Sequence, residues 1–131
     1  MTSERGSTLV LAAISLTGLM FLTALGLDIG LGLVAKSQAQ TAADAGAIAG
    51  AIAVSFGETP VPAALVSARA NLVLKRIPDV SVSQPCPTCV AVDVSQDVAS
   101  SIFQRTFHVR ASSTGQVRPN ENGEPRVVVI R

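Results

Sequence analysis

The sequence predicts an α+β fold, in which a long N-terminal transmembrane helix extends into a small domain with one helix and a three- or four-stranded antiparallel sheet. Three observations predict it. An uncharged run from Ser7 to Leu27 continues, without a proline, into an alanine-rich segment ending near Val54. Apolar residues then recur at helical spacing between Pro62 and Arg76. Beyond Pro78 the period of the pattern falls to two, as a half-buried sheet requires.

The first element is set by length. A helix rises about 1.5 Å per residue and a bilayer core is roughly 30 Å thick, so a run such as Ser7–Leu27 can cross it. The composition agrees: 48% of the 131 residues are hydrophobic and only 15% charged, which suits an anchored protein better than a soluble one. The apolar run is longer than the roughly 7–15 residues of a secretory signal and no clear A-x-A site follows, so it reads as a retained anchor. Arg5 and the terminal amine outweigh Lys36 on the far side, which places the short N-terminus in the cytoplasm and the larger part outside. The expected division is therefore an anchor with its helical extension over 1–54, and a small extracytoplasmic α+β domain over 55–131.

The same helix is built of small residues. Gly26 and Gly30 form one GxxxG pair at the membrane edge, and Gly46 and Gly50 form a second beyond it. Small residues four apart let another backbone approach closely. An isolated Ala/Gly helix is only marginally stable, because each glycine costs roughly 1 kcal/mol against alanine. The extension should therefore pack on its own domain, on a neighbouring subunit, or on both. Asp28 falls near the far boundary of the span, where snorkelling or local water makes a charge tolerable; the alternative is a cation on a neighbour. Gln40 and Asp44 lie on the extension, Asp44 either solvated or locking an intersubunit contact.

Gly57-Glu-Thr-Pro-Val-Pro breaks the helix. Thr59 or a neighbour caps the next one, with Pro60 or Pro62 in its first turn, the basic pair Lys75-Arg76 at its end and Pro78 as a stop. Val80 and Val82, then Val90, Val92 and Val94, then Phe107, Val109 and Ala111 alternate with polar or small residues. Ser100–Gln104 reads as a turn or helical loop, Asn120–Gly123 as a turn, and Val127–Ile130 as a last apolar strand. The natural cover for this sheet is the second helix or the alanine face of the first.

The order of Arg5-Gly6, the uncharged run, Asp28-Ile29-Gly30, and then Gln38-Ala39-Gln40-Thr41-Ala42-Ala43-Asp44-Ala45-Gly46-Ala47-Ile48-Ala49 resembles the N-terminal segment of TadG-like Flp/Tad pilus-assembly proteins. Val90–Val98 followed by Phe107–Ser113 is similar to the strand, turn and returning strand of the TadE/TadG type. Many TadG-like proteins continue into a larger C-terminal region; this chain stops at Arg131. The resemblance implies a non-enzymatic, single-pass envelope protein that takes part in pilus assembly through helix–helix packing. Its partners would be the bilayer, other Tad assembly or pilin-like subunits, and a second copy of itself as a homo-oligomer. The packing residues would be Gly26, Asp28, Gly30, Gln40, Asp44, Gly46 and Gly50. Pilin-like proteins of such a system are cut after a glycine and carry Glu at the fifth mature position. Cleavage after Gly6 would put Leu11 there, which fits a TadG-like component better than a filament subunit.

Other chemistry finds little support. Cys86-Pro-Thr-Cys89 precedes a strand, whereas a thioredoxin-like motif opens a helix, so a local disulfide is favoured over a membrane-tethered thiol–disulfide protein. Zinc wants about four ligands, and only His108 joins the cysteines as a soft partner. Gly30-Leu-Gly-Leu-Val-Ala35 matches a dinucleotide fingerprint but lies inside an apolar helix with no preceding strand. His108 alternates onto a polar strand face and supplies no triad. A net charge of +1 without a basic stripe or stacking aromatics gives no nucleic-acid footprint. No catalytic residue, cofactor, metal or small-molecule substrate is expected.

Overall fold

The computed structural model describes residues 3–72, 79–100 and 106–130. The first helix, α1, is unbroken from Ser3 to Ser55. At about 1.5 Å per residue that is roughly 80 Å of continuous helix. Its glycines do not interrupt it, because no proline removes a backbone donor along the way. The helix ends where Gly57 takes a positive φ of 75°, and the amide of Glu58 reaches back to the carbonyl of Ala53 at 2.9 Å.

The second helix, α2, runs over Pro60–Ala70. Thr59 occupies its N-cap position with an extended backbone but makes no side-chain cap, and Pro60 sits buried in the first turn. The helix is shorter than the expected span to Arg76: Asn71 closes it, its side chain donating to the Ser67 carbonyl at 2.9 Å. Lys75, Arg76 and Pro78 lie outside the described residues.

Four strands follow: β1 (Asp79–Cys86), β2 (Cys89–Ala99), β3 (Thr106–Pro119) and β4 (Pro125–Ile130). They form a four-stranded antiparallel meander in the order β1-β2-β3-β4, the upper of the two expected strand counts. Register follows the alternation: Val82 stands opposite Val92, Val94 opposite Ala111, and Val90 opposite Gly115. The β3–β4 turn is held by Asn120, whose side-chain oxygen accepts from the amides of Asn122 and Glu124, with Gly123 at a φ of 81°. Of the expected Ser100–Gln104 turn, only Ser100 is described.

The core lies where three layers meet. Ala39, Ala42, Ala43 and Ala47 of α1 are fully buried against Ala64 and Ala68 of α2 and against Val90, Val92 and Val94 of β2. The alanine-rich extension is thus an integral part of the head's core. Such a core replaces bulk with proximity: small side chains let the α1 backbone come within contact of a helix and a sheet at once. The upstream part of α1 makes no such contact. Leu9 to Val34 carries a long series of exposed large apolar side chains, from Leu9 and Val10 through Leu33 and Val34.

Candidate functional site: the two faces of the long helix

Because α1 is one helix, residue spacing fixes which way each side chain points. The second glycine pair points into the head. A methyl group added at Gly50 would stand 2.7 Å from a Val90 methyl and 3.3 Å from the Ala64 methyl. One added at Gly46 would meet the Ala64 carbonyl oxygen and the Ala68 methyl, each at 3.0 Å. Ser67 completes this contact, its hydroxyl donating to the Ala45 carbonyl at 3.1 Å. The sheet approaches still more closely at Gly115, where a methyl would collide with the backbone carbonyl of Ala47. An isolated glycine within a strand pattern is the sequence signal of such an approach.

The first pair points the other way. At about 100° per residue, Gly26 and Gly30 lie roughly 160–240° around the helix from Gly46 and Gly50. Nothing stands within 4 Å of the position a methyl would take at either residue. Beyond them on the same side, Leu33, Lys36, Ser37, Gln40, Thr41 and Asp44 line a shallow groove of about 420 Å³. Positions 26, 30, 33, 37, 40 and 44 follow a 4-3-4-3-4 spacing, the repeat of a helix seam. Gln40 donates to Asp44 at 2.9 Å and reaches the Ser112 carbonyl at 3.4 Å, so its amide spans the edge between groove and head.

Asp28 faces the head. It is 6% exposed, and one carboxylate oxygen accepts a hydrogen bond from the Ser100 hydroxyl at the end of β2. This differs from the interfacial, snorkelling aspartate expected from its position: the head reaches down to cover it. Its second oxygen has no hydrogen-bond partner. Two turns further along, Gln96 is buried and donates to the Ala35 carbonyl at 2.8 Å. Sequence reasoning singled out neither Ser100 nor Gln96, since both sit among polar strand residues with nothing to mark an inward partner. Within the apolar segment, Thr17 and Thr23 donate to the carbonyls four residues back, at 2.8 Å each, so their hydroxyls carry no unmet donor into an apolar surrounding.

Cys86 and Cys89 form a disulfide across the β1–β2 hairpin. It lies between two strands rather than at a helix N-terminus, which gives neither sulfur the dipole that activates a redox thiol. His108 is exposed on the outer sheet face and pairs with Asp97 across β2–β3. Among the described residues no three His, Cys, Asp or Glu side chains converge as a metal site would. The outer face of the sheet, with Asp79, Ser81, Asp93, Ser95, Arg110 and Ser112, is polar and shallow.

Residues 6–53 match the model of the Tad family, described as "Putative Flp pilus-assembly TadE/G-like". That segment is most of α1, both glycine pairs included; α2 and the sheet lie outside it. Neither a curated protein nor a solved structure shows a significant match to the chain. The family match and the apolar α1, long enough to cross a membrane, together support a membrane-anchored envelope protein with a role in pilus assembly.

Proposed function

We propose that the chain is a non-enzymatic, single-pass assembly component of a Flp/Tad-type pilus system, which works by lateral helix packing through the outward side of α1. The observation that carries this reading is the division of labour along one helix. The side bearing Gly46 and Gly50 is filled by the chain's own head, whereas the side bearing Gly26 and Gly30 is bare and continues into the groove at Ser37, Gln40 and Asp44. A membrane helix gains nothing from burying apolar surface against another in lipid, so close approach at small residues becomes the means of association. The family match to pilus assembly supplies the class of partner: other Tad assembly or pilin-like subunits, or a second copy of this chain.

In this reading the short N-terminus lies in the cytoplasm and the head lies outside the bacterial inner membrane. The hairpin disulfide supports that side, since disulfides persist in oxidising compartments. Gly46 and Gly50 act indirectly, by holding the head against α1 so that the opposite side stays presented. Asp28 belongs with them, and Gln40 and Asp44 border the seam.

Cysteine crosslinking of the full chain in native membranes tests the claim. In a Cys86→Ser/Cys89→Ser background with a reporter cysteine at Ser37, the parent should give a crosslinked adduct and Gly26→Leu/Gly30→Leu should lose it, while the head stays folded. Adducts of equal yield in both would remove the outward seam as the packing surface.

A further inference from the structure

Among the described residues, β1 pairs with β2 as far as Asp79 opposite Ser95, and β4 with β3 as far as Ile130 opposite Thr114. Past these pairs β2 and β3 continue together as a ribbon, residues 96–99 against 106–109. The ribbon runs along α1 towards its apolar segment. Gln96 contacts the Ala35 carbonyl and Ser100 contacts Asp28, so four strand residues (about 13 Å) descend beside seven helix residues (about 10 Å).

We propose that this ribbon is a lipid-contacting element: its lower end, with Val98 and Phe107, rests in the interfacial zone of the bilayer beside the Leu27–Val34 turns of α1. The inference rests on the membrane reading above and goes beyond it in assigning a second contact with lipid. Three observations carry it. First, the ribbon's lower end is partly apolar and partly polar. Val98 and Phe107 stand opposite one another on the α1 side, Phe107 still 46% exposed, while Asp97 and His108, at the same depth, point away from α1 as an exposed pair. Such a mixture suits the headgroup zone, where an outward-facing charge is tolerated, and not the hydrocarbon core. Second, Leu27, Ile29, Leu31, Leu33 and Val34 are all exposed on the parts of α1 that the ribbon leaves open, giving an apolar collar at the same level. Third, Asp28 is the one charged residue between Gly6 and Ala35, and Ser100 at the ribbon's end covers it.

With that charge hidden, exposed apolar surface runs from Leu9 to Val34, a length of about 39 Å at 1.5 Å per residue. A hydrocarbon core takes up roughly 30 Å of this, and the core with both interfacial regions roughly 40–45 Å. The excess places the upper turns, and the ribbon beside them, in the interface. Lipid is thus the occupant that continues a surface already in contact with it.

The chain has no Trp and no Tyr, so a single introduced Trp is its only strong fluorophore. Four variants of the full chain in lipid nanodiscs make the test: Leu22→Trp within the span, Ile29→Trp on the collar, Phe107→Trp on the ribbon, and Phe56→Trp at the far end of α1. Each is measured with ordinary lipid and with lipid brominated near the top of the acyl chains, after circular dichroism shows the fold retained. Blue-shifted emission that bromine quenches is expected for Leu22→Trp, Ile29→Trp and Phe107→Trp, and unquenched emission for Phe56→Trp. Quenching of Leu22→Trp but not of Phe107→Trp overturns the ribbon contact and leaves the membrane anchor standing; blue-shifted but unquenched Phe107→Trp would point to protein cover and overturn it equally. Quenching of Phe56→Trp to the same degree overturns it too, since the head would then lie along the bilayer. An unquenched Leu22→Trp would bring down the anchor and the ribbon contact together.

Discussion

Gly26 and Gly30 share a helix, a spacing and a residue type with Gly46 and Gly50, yet the two pairs stand in opposite circumstances. At the second pair the place a methyl would take is crowded by α2 and β2; at the first it is open space. A GxxxG spacing is therefore a statement about how closely something may approach, silent about whether that something is in the same chain. What decides is the side of the helix the pair is on and what the chain can fold back against it. Here the chain supplies α2 and the sheet to one side of the extension and leaves the part of α1 that precedes Asp28 uncovered.

The comparison breaks most severely at the packed half, through Gly115. Gly115→Val would drive a branched side chain into the Ala47 backbone carbonyl, and backbone cannot yield as the end of a side chain can. Overpacking of this kind costs typically about 1–3 kcal/mol and occasionally more, so the upper end is expected here, since sheet and helix would have to part along their length. Thermal unfolding in detergent, followed by circular dichroism at a β-sheet wavelength, should show early loss of the head while the membrane segment stays helical. A head that melts as the parent does would mean that the extension is not the partner of the sheet.

Much of this was legible in advance, for physical reasons. The helix showed itself because crossing lipid leaves a long uncharged run, and the strands because one buried face imposes alternation, as at Val90, Val92 and Val94. For Gly46 and Gly50, own domain and neighbouring subunit were equal alternatives, because a small residue marks proximity without naming the partner. Asp28 was read as solvated because its covering residue, Ser100, is 72 positions away and is a serine among serines. Gly115 did carry a signal, a lone glycine in a strand run. Its meaning depended on knowing which face met α1.

A smaller effect sharpens the boundary between the halves. Ser100→Ala removes the hydroxyl that donates to Asp28 and leaves a buried carboxylate without that donor. Leaving such a group unpaired costs about 1–3 kcal/mol, less whatever water or a rearranged ribbon returns. Hydrogen exchange should show the amides of 96–99 and 106–109 opening sooner while those around Val90 and Gly115 stay protected. Uniform loosening of the whole sheet would instead make the Asp28 contact part of the core.

The smallest effect compares like with like. Gly→Ala in a helix interior gains about 1 kcal/mol from intrinsic propensity where the helix is lost on unfolding, which favours Gly50→Ala in the head over Gly30→Ala in the membrane segment. At Gly30 the methyl enters open space, and the stability of the head should be unchanged or slightly raised. At Gly50 it meets Val90, whose branched side chain has little rotamer freedom to retreat, and Ala64, which has none. A packing cost of about 1–3 kcal/mol against the propensity gain leaves a net loss of about 1 kcal/mol. Two melting curves in one detergent measure the difference; since any propensity gain at Gly50 opposes the packing cost there, the difference is a lower bound on that cost. Equal shifts for the two variants would show that the second pair tolerates a methyl after all, and with that the contrast between a filled and an open side of α1 would lose its energetic basis.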